Sequence, residues 1–104
     1  MIRVSVLYAS KAGAKFDHEY YASKHIPLVR ERLTPLGMVR AEIDKGLPGP
    51  DGSPPPFVGA VHLLFNSIED FQKGMGQHAA EIMGDIPNYT DLQPQIQISD
   101  TTAS

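Results

Sequence analysis

Phe57-Val58-Gly59-Ala60-Val61-His62-Leu63-Leu64-Phe65 is apolar on both faces of an extended chain. Successive side chains of a strand point to opposite sides. One side therefore carries Phe57, Gly59, Val61, Leu63 and Phe65, and the other carries Val58, Ala60, His62 and Leu64. A strand of this composition belongs inside a sheet with both faces covered. Upstream, Ile2 to Tyr8 alternates Ile2, Val4, Val6 and Tyr8 against Arg3, Ser5 and Leu7, which reads as a half-buried strand. Met38 to Lys45 and Gln93 to Ser99 alternate in the same way. The stretch from Gly46 to Pro56 is too rich in proline and glycine for a ladder and reads as a loop that could cover a pocket or reach a partner subunit.

Two helical segments separate these strands. The first opens at Asp17, whose carboxylate suits an N-cap, and runs to about Leu33, where Thr34-Pro35 and Gly37 end it. Pro27 falls inside it and predicts a break there, because an interior proline removes a donor and clashes with the preceding turn. The second opens at Ser67, with Asp70 as a short variant of the reciprocal capping residue. Gly74 and Gly76 weaken that helix, so a break is expected, with a separate short helix from about Gln77 to Met83. Asp85 to Leu92 reads as irregular. The order strand, helix, strand, strand, helix, strand is the split βαβ plan: an α+β, ferredoxin-like, four-stranded antiparallel sheet with both helices on one face. A single domain over 1–104 accounts for every element. No element remains to cover the second face of the sheet, so self-association through that open face is the simplest solution.

The chain has 104 residues, a net charge of −3 with mixed signs, and no cysteine. Nothing in this balance suggests nucleic acid or an anionic membrane as partner, and thiolate and disulfide chemistry are excluded. No signal peptide or long apolar run is visible, which gives a cytoplasmic protein as the expectation. No two of the four histidines stand at i, i+4, so no metal site is expected. Phosphate-binding glycine loops and a nucleophile elbow are also missing.

The chemistry concentrates in Phe16-Asp17-His18-Glu19-Tyr20-Tyr21-Ala22-Ser23-Lys24-His25-Ile26-Pro27-Leu28-Val29. At 100° per residue, Tyr21, His25, Leu28 and Val29 share one side of a helix. His25 then points at whatever the helix packs on, beside a backbone irregularity, and could act as a general acid or base or serve as a packed structural histidine. Tyr21 lies with it. Tyr20 projects about 100° away and suits an aromatic at the core edge. Asp85 and Asn88, in Gly84-Asp85-Ile86-Pro87-Asn88-Tyr89-Thr90, are turn formers that set Tyr89 on the core, or that line the same pocket as His25. His62 fits either the pocket under the helices or the interior of a shared barrel. His78 is expected to be exposed near a helix start, and His18 to be solvated. The catalytic candidates are thus His25, Tyr21 and Asp85, and the ligand-binding candidates are Tyr20, His62 and Asn88.

Phe16-Asp17, Tyr20-Tyr21 and Lys24-His25-Ile26-Pro27-Leu28-Val29, followed by Gly84 to Thr90 and Pro94-Gln95-Ile96-Gln97-Ile98-Ser99, resemble the EthD family of small bacterial proteins. The likeness spans nearly the whole chain in order. It implies a dimeric α+β barrel, in which two sheets meet as a homodimer. It also implies an association with oxidative breakdown of organic compounds, because the founding member accompanies a cytochrome P450 system for ethyl tert-butyl ether. A small apolar organic ligand between helix and sheet fits that picture. Related barrels include cofactor-independent isomerases, cyclases and monooxygenases, for which His25 would be the acid or base. The haem ligand of haem-degrading relatives has no clear match, and no cofactor is expected. A non-catalytic structural dimer module is the remaining alternative.

Overall fold

The computed structural model describes residues 1–102. Its strands are β1 (Ile2–Ala9), β2 (Met38–Lys45), β3 (Phe57–Phe65) and β4 (Gln95–Asp100), all antiparallel, in the spatial order β2-β3-β1-β4. The helical run between β1 and β2 comprises α1 (His18–Tyr20), a π turn (Tyr21–His25), α2 (Ile26–Leu33) and a 3₁₀ turn (Thr34–Leu36). The second helix is α3 (Ile68–Gly84), followed by a 3₁₀ turn over Ile86–Asn88. This is the split βαβ arrangement expected from the element order.

Register decides the two faces. Val4 pairs with Leu63 and Ile98, and Val6 with Val61 and Ile96, so these residues share the face that the helices cover. The core lies there, with Tyr8, Tyr21, Ile26, Leu33, Phe65 and Tyr89 almost fully buried. The other face carries Ser5, which pairs with both His62 and Gln97, and Glu42, which pairs with His62. A polar file thus crosses that face. Its apolar members Ala60 and Leu64 are already only 5% exposed in the single chain. Much of the exposed apolar surface lies instead at the edges of the helix-covered face, at Ile43 on β2 and at Ile96 and Ile98 on β4.

Both N-caps form as read: Asp17 accepts from the Tyr20 amide and Ser67 from the Asp70 amide. The irregularity expected near Pro27 is present as the π turn. The irregularity precedes the proline, where the Ile26 amide bonds the Tyr21 carbonyl five residues back. Pro27 itself stands in the first turn of α2, where its missing donor is not needed. The expected break at Gly74 and Gly76 does not occur, and α3 is continuous from Ile68 to Gly84. Gly74 is buried at the crossing with α2, and a Cβ there would come within 2.8 Å of the Leu33 side chain. Close helix approach overrides the propensity cost of the glycine. His78 is half-buried in the middle of α3 rather than exposed at a helix start, and His18 is half-buried against Phe16. The 46–56 loop is mostly exposed.

Gly37 closes the 3₁₀ turn with φ +106°, and a Cβ there would overlap the Asp70 side chain. Gly37→Ala therefore meets both a backbone penalty and a steric one. Urea unfolding should show a loss of about 1–3 kcal/mol, in the range of overpacked sites, whereas Gly76→Ala, with open space around it, should be neutral or stabilising.

Candidate functional site

Two backbone clamps bring the start of α1 and the end of α3 together. The Asp17 amide donates to the Tyr89 carbonyl at 2.8 Å, and Phe16 bridges Thr90. The Thr90 hydroxyl closes the same junction by donating to the Lys15 carbonyl at 2.6 Å. Asp85, directly after α3, is thereby held opposite the π turn.

The Asp85 carboxylate collects three side-chain donors. Tyr20 donates its hydroxyl to Oδ1 at 2.7 Å, Asn88 donates its amide to Oδ1 at 2.9 Å, and His25 Nδ1 lies 2.9 Å from Oδ2. Burial is the largest single influence on this carboxyl and raises it, but the bonds from Asn88, Tyr20 and His25, with the charge His25 can carry, outweigh burial and hold it below its ordinary value. Asp85 is therefore ionised at neutral pH, and the His25 Nδ1–H donates to it. Burial of the imidazole lowers its pKa, and the bond to Asp85 and its charge only partly oppose this. The ring is thus neutral at neutral pH, with the proton on Nδ1 and the lone pair on Nε2. That nitrogen has no hydrogen-bond partner among the described residues.

Aromatic rings frame the imidazole. Tyr21 stacks on it at 5.6 Å with planes 15° apart, and Tyr89 lies 4.7 Å away on a tilt. The Tyr8 and Tyr89 hydroxyls bond each other at 2.5 Å. The Tyr21 hydroxyl is buried and has no partner among the described residues. An unpaired buried hydroxyl costs about 1–3 kcal/mol. Burial also pushes the Tyr21 phenol well up, so it stays a donor across the physiological range.

His25 and Tyr21 line an apolar cavity between the helices and the sheet. Val4, Val6, Val61 and Leu63 form its floor, Ile26, Val29, Phe71 and Met75 its roof, and Met83, Ile86, Pro94 and Ile96 its open end beside β4. The cavity measures about 60 Å³, against roughly 10–15 Å³ for one water, so it holds several heavy atoms. The open end continues into a groove past Pro87 and Leu92.

The structure thus brings together five of the six candidates: His25, Tyr21, Asp85, Tyr20 and Asn88. His62 is apart, on the other face of the sheet, where Nδ1 accepts from the Ser5 hydroxyl at 2.7 Å and Nε2 donates to Asp44 at 3.0 Å. The pocket under the helices is therefore ruled out for it. The Tyr20 ring packs against the core with its hydroxyl at the edge, where it is bound to Asp85. In a regular helix Tyr20 and His25, five apart, would point about 140° apart. The extra residue in the π turn swings them toward a common acceptor. The signal available in the sequence was Pro27, which favours such a turn just before it. Among the described residues no group of acidic, histidine or cysteine side chains is arranged to hold a metal ion. No described helix is long and apolar enough to cross a membrane.

A family model described as the EthD domain matches residues 12–93. An uncharacterized 11.0 kDa protein from the thcB-thcC intergenic region of Rhodococcus erythropolis is 30% identical over 93 residues, covering 86% of this chain and 84% of that protein. The crystal structure of an EthD-like protein from Ralstonia eutropha JMP134 superposes with a TM-score of 0.90 at 44% identity, over 95% of this chain and 89% of the other. An ethyl tert-butyl ether degradation (EthD) family protein from Bacillus halodurans C-125 shares the fold, with a TM-score of 0.66 at 18% identity over 98% and 99% of the two chains.

The linkage of His25 to folding has a definite sign. Its folded pKa lies below the ordinary 6.5, so as pH falls through 6.5 the unfolded chain takes up a proton that the native ring refuses. Stability drops from that point downward, and Asp85, depressed below 3.8, adds a further loss in stronger acid. Thermal unfolding should show a lower midpoint at pH 5.5 than at pH 7.5. His25→Asn, which keeps a donor toward Asp85, should flatten that slope, with His18 (also lowered by burial) supplying what remains.

Proposed function

The chain belongs to the EthD domain family, and on that premise we propose that it binds a small, largely apolar organic compound in the cavity between helices and sheet, with His25 as the group that exchanges a proton with it. The observation that carries this reading is the His25–Asp85 pair at 2.9 Å. A neutral imidazole, fixed in one tautomer by an ionised carboxylate, presents a free basic nitrogen beside an apolar space. A carboxylate in this position orients the ring and stabilises the imidazolium that forms on proton uptake. Asp85 is in turn fixed by Tyr20 and Asn88, which makes these three positioning residues rather than groups that touch the ligand. The place of the Rhodococcus relative between thcB and thcC supports a role in breakdown of organic compounds.

The same reading includes a homodimer through the outer face of the sheet. Leu7, partly exposed there opposite Ala60, flanks the polar file of Ser5, His62 and Glu42. Sedimentation equilibrium should give twice the chain mass, and a monomer at micromolar concentration would refute this part.

Two probes test the cavity: ethyl tert-butyl ether and cyclohexanone, followed through methyl resonances of the labelled protein. Signals of Met75, Met83, Ile86 and Ile96 should shift on titration, while those of Val39 and Leu47, exposed elsewhere, should not. If neither probe moves the cavity signals, the reading fails. His25→Ala should weaken binding with the dimer intact, and loss of fold or of dimer instead would make His25 structural.

A further inference from the structure

We propose that the ligand is an uncharged compound with an extended hydrocarbon tail, its polar end at His25 and its tail in the apolar groove that continues the cavity past β4. This deepens the reading above and rests on it. The cavity alone takes little more than a head. At about 60 Å³ it accommodates roughly four to six water-sized groups. Its far end stays open. Met83, Ile86, Pro94 and Ile96 line both the cavity and a wider groove of about 480 Å³. Pro87 and Leu92 extend the same apolar lining along the groove.

The wall of that groove is hydrocarbon held out in water. Met83 is 44% exposed and Ile96 is 52% exposed. Single exposed apolar side chains are ordinary, but contiguous ones mark a surface that something covers. Continuity with the His25 cavity identifies the occupant. A chain that starts inside leaves past Met83 and Ile96 and then lies on apolar side chains. Each methylene laid there exchanges water for a hydrocarbon contact. Inside the cavity, the Tyr8 hydroxyl is already bonded to Tyr89 and the Tyr21 hydroxyl is sealed by its neighbours. His25 is therefore the polar group on the lining that is left for the head.

Charge narrows the class of compound. Among the described residues, no lysine or arginine lines the cavity or the groove. The carboxylates at hand are Asp85, ionised against His25, and Asp91 on the groove wall, where Oδ1 accepts from the Lys15 amide at 2.9 Å. An anionic head would meet Asp85 behind His25, or Asp91 in the groove, with no cation to balance it. That disfavours a fatty acid in either orientation. An alcohol, aldehyde, ketone or ether of the same length meets no such cost.

The test is a homologous series of 1-butanol, 1-hexanol, 1-octanol and 1-decanol, with octanoate and ethyl tert-butyl ether alongside. Each is titrated into the full chain at pH 7.5 and followed through the methyl resonances of Met75, Met83, Ile86 and Ile96. Kd should keep falling from hexanol to decanol, by about twofold to fourfold per added methylene, as the area removed from water requires. Octanoate should bind roughly tenfold more weakly than 1-octanol. Met83→Gln and Ile96→Gln, both at half-exposed positions, should flatten the gain beyond hexanol. Equal Kd for hexanol and decanol would overturn the tail, and binding of the ether would show that the cavity reading survives it. Octanoate binding as tightly as 1-octanol would overturn the uncharged assignment. If the two variants change the sedimentation mass in place of the chain-length gain, a second copy covers the groove and the proposal fails. If neither the ether nor any alcohol binds, the underlying reading itself has failed.

Discussion

Everything distinctive in this molecule depends on the Asp85 carboxylate. It is an ionised group, half-sheltered, at the junction between the end of α3 and the π turn. A sheltered charge is costly unless donors surround it. Here they come from both sides: Tyr20 and His25 from the first helical run, Asn88 from the turn after α3. The carboxylate therefore fixes the distance between the two helical layers at that end, the tautomer of His25 and the conformation of the 86–88 turn together. Removing any one donor leaves the others and raises the cost of the charge. Removing the charge leaves buried or half-buried donors without an acceptor.

The backbone is shaped to make this possible. A regular helix cannot aim Tyr20 and His25 at one acceptor while also burying Tyr21 beside His25. The π turn does both, and Pro27 directly behind it keeps the ladder from closing in regular α-helical form. Such turns are rare and are frequently found at functional sites. The clamps through Asp17, Phe16 and Thr90 then hold the turn against the stretch after α3, so the site rests on elements that cannot move independently.

The architecture was legible in the sequence because each strand carries its own alternation and each helix its own cap. Asp17 and Ser67 cap as their side chains predict, and the register of β1 on β3 puts Val4, Val6 and Tyr8 on the core face as the alternation requires. His25, Tyr21, Asp85 and Asn88 were also accessible, two by helical spacing and two by turn chemistry. What local reasoning missed was non-local. Gly74 reads as a helix breaker until Leu33 is seen to need its space. Tyr20 packs against the core as read, but the bond from its hydroxyl to Asp85 depends on the π turn. His62 could be placed only once the pairing of Ser5 with His62 showed which face it occupies. The double-sided apolarity of β3 was real, but Ala60 and Leu64 are small or central enough to be covered by the chain itself.

The two histidine networks show how one residue type is put to different use by its surroundings. His62 has both ring nitrogens satisfied, by Ser5 and Asp44. His25 has one nitrogen bonded to Asp85, makes no second side-chain hydrogen bond among the described residues, and lines the apolar cavity. Burial favours its neutral form, and the ionised Asp85 stands ready to stabilise the charged form when a proton arrives. That balance is what a general base requires: neutral at rest, tolerable when protonated, and positioned in advance. The strength of the base is set by burial, which lowers the His25 pKa, and by Asp85, which opposes this only in part. The arrangement limits the chemistry to a proton moved over a short distance on a compound whose reacting end is small enough to sit above Val4 and Val61.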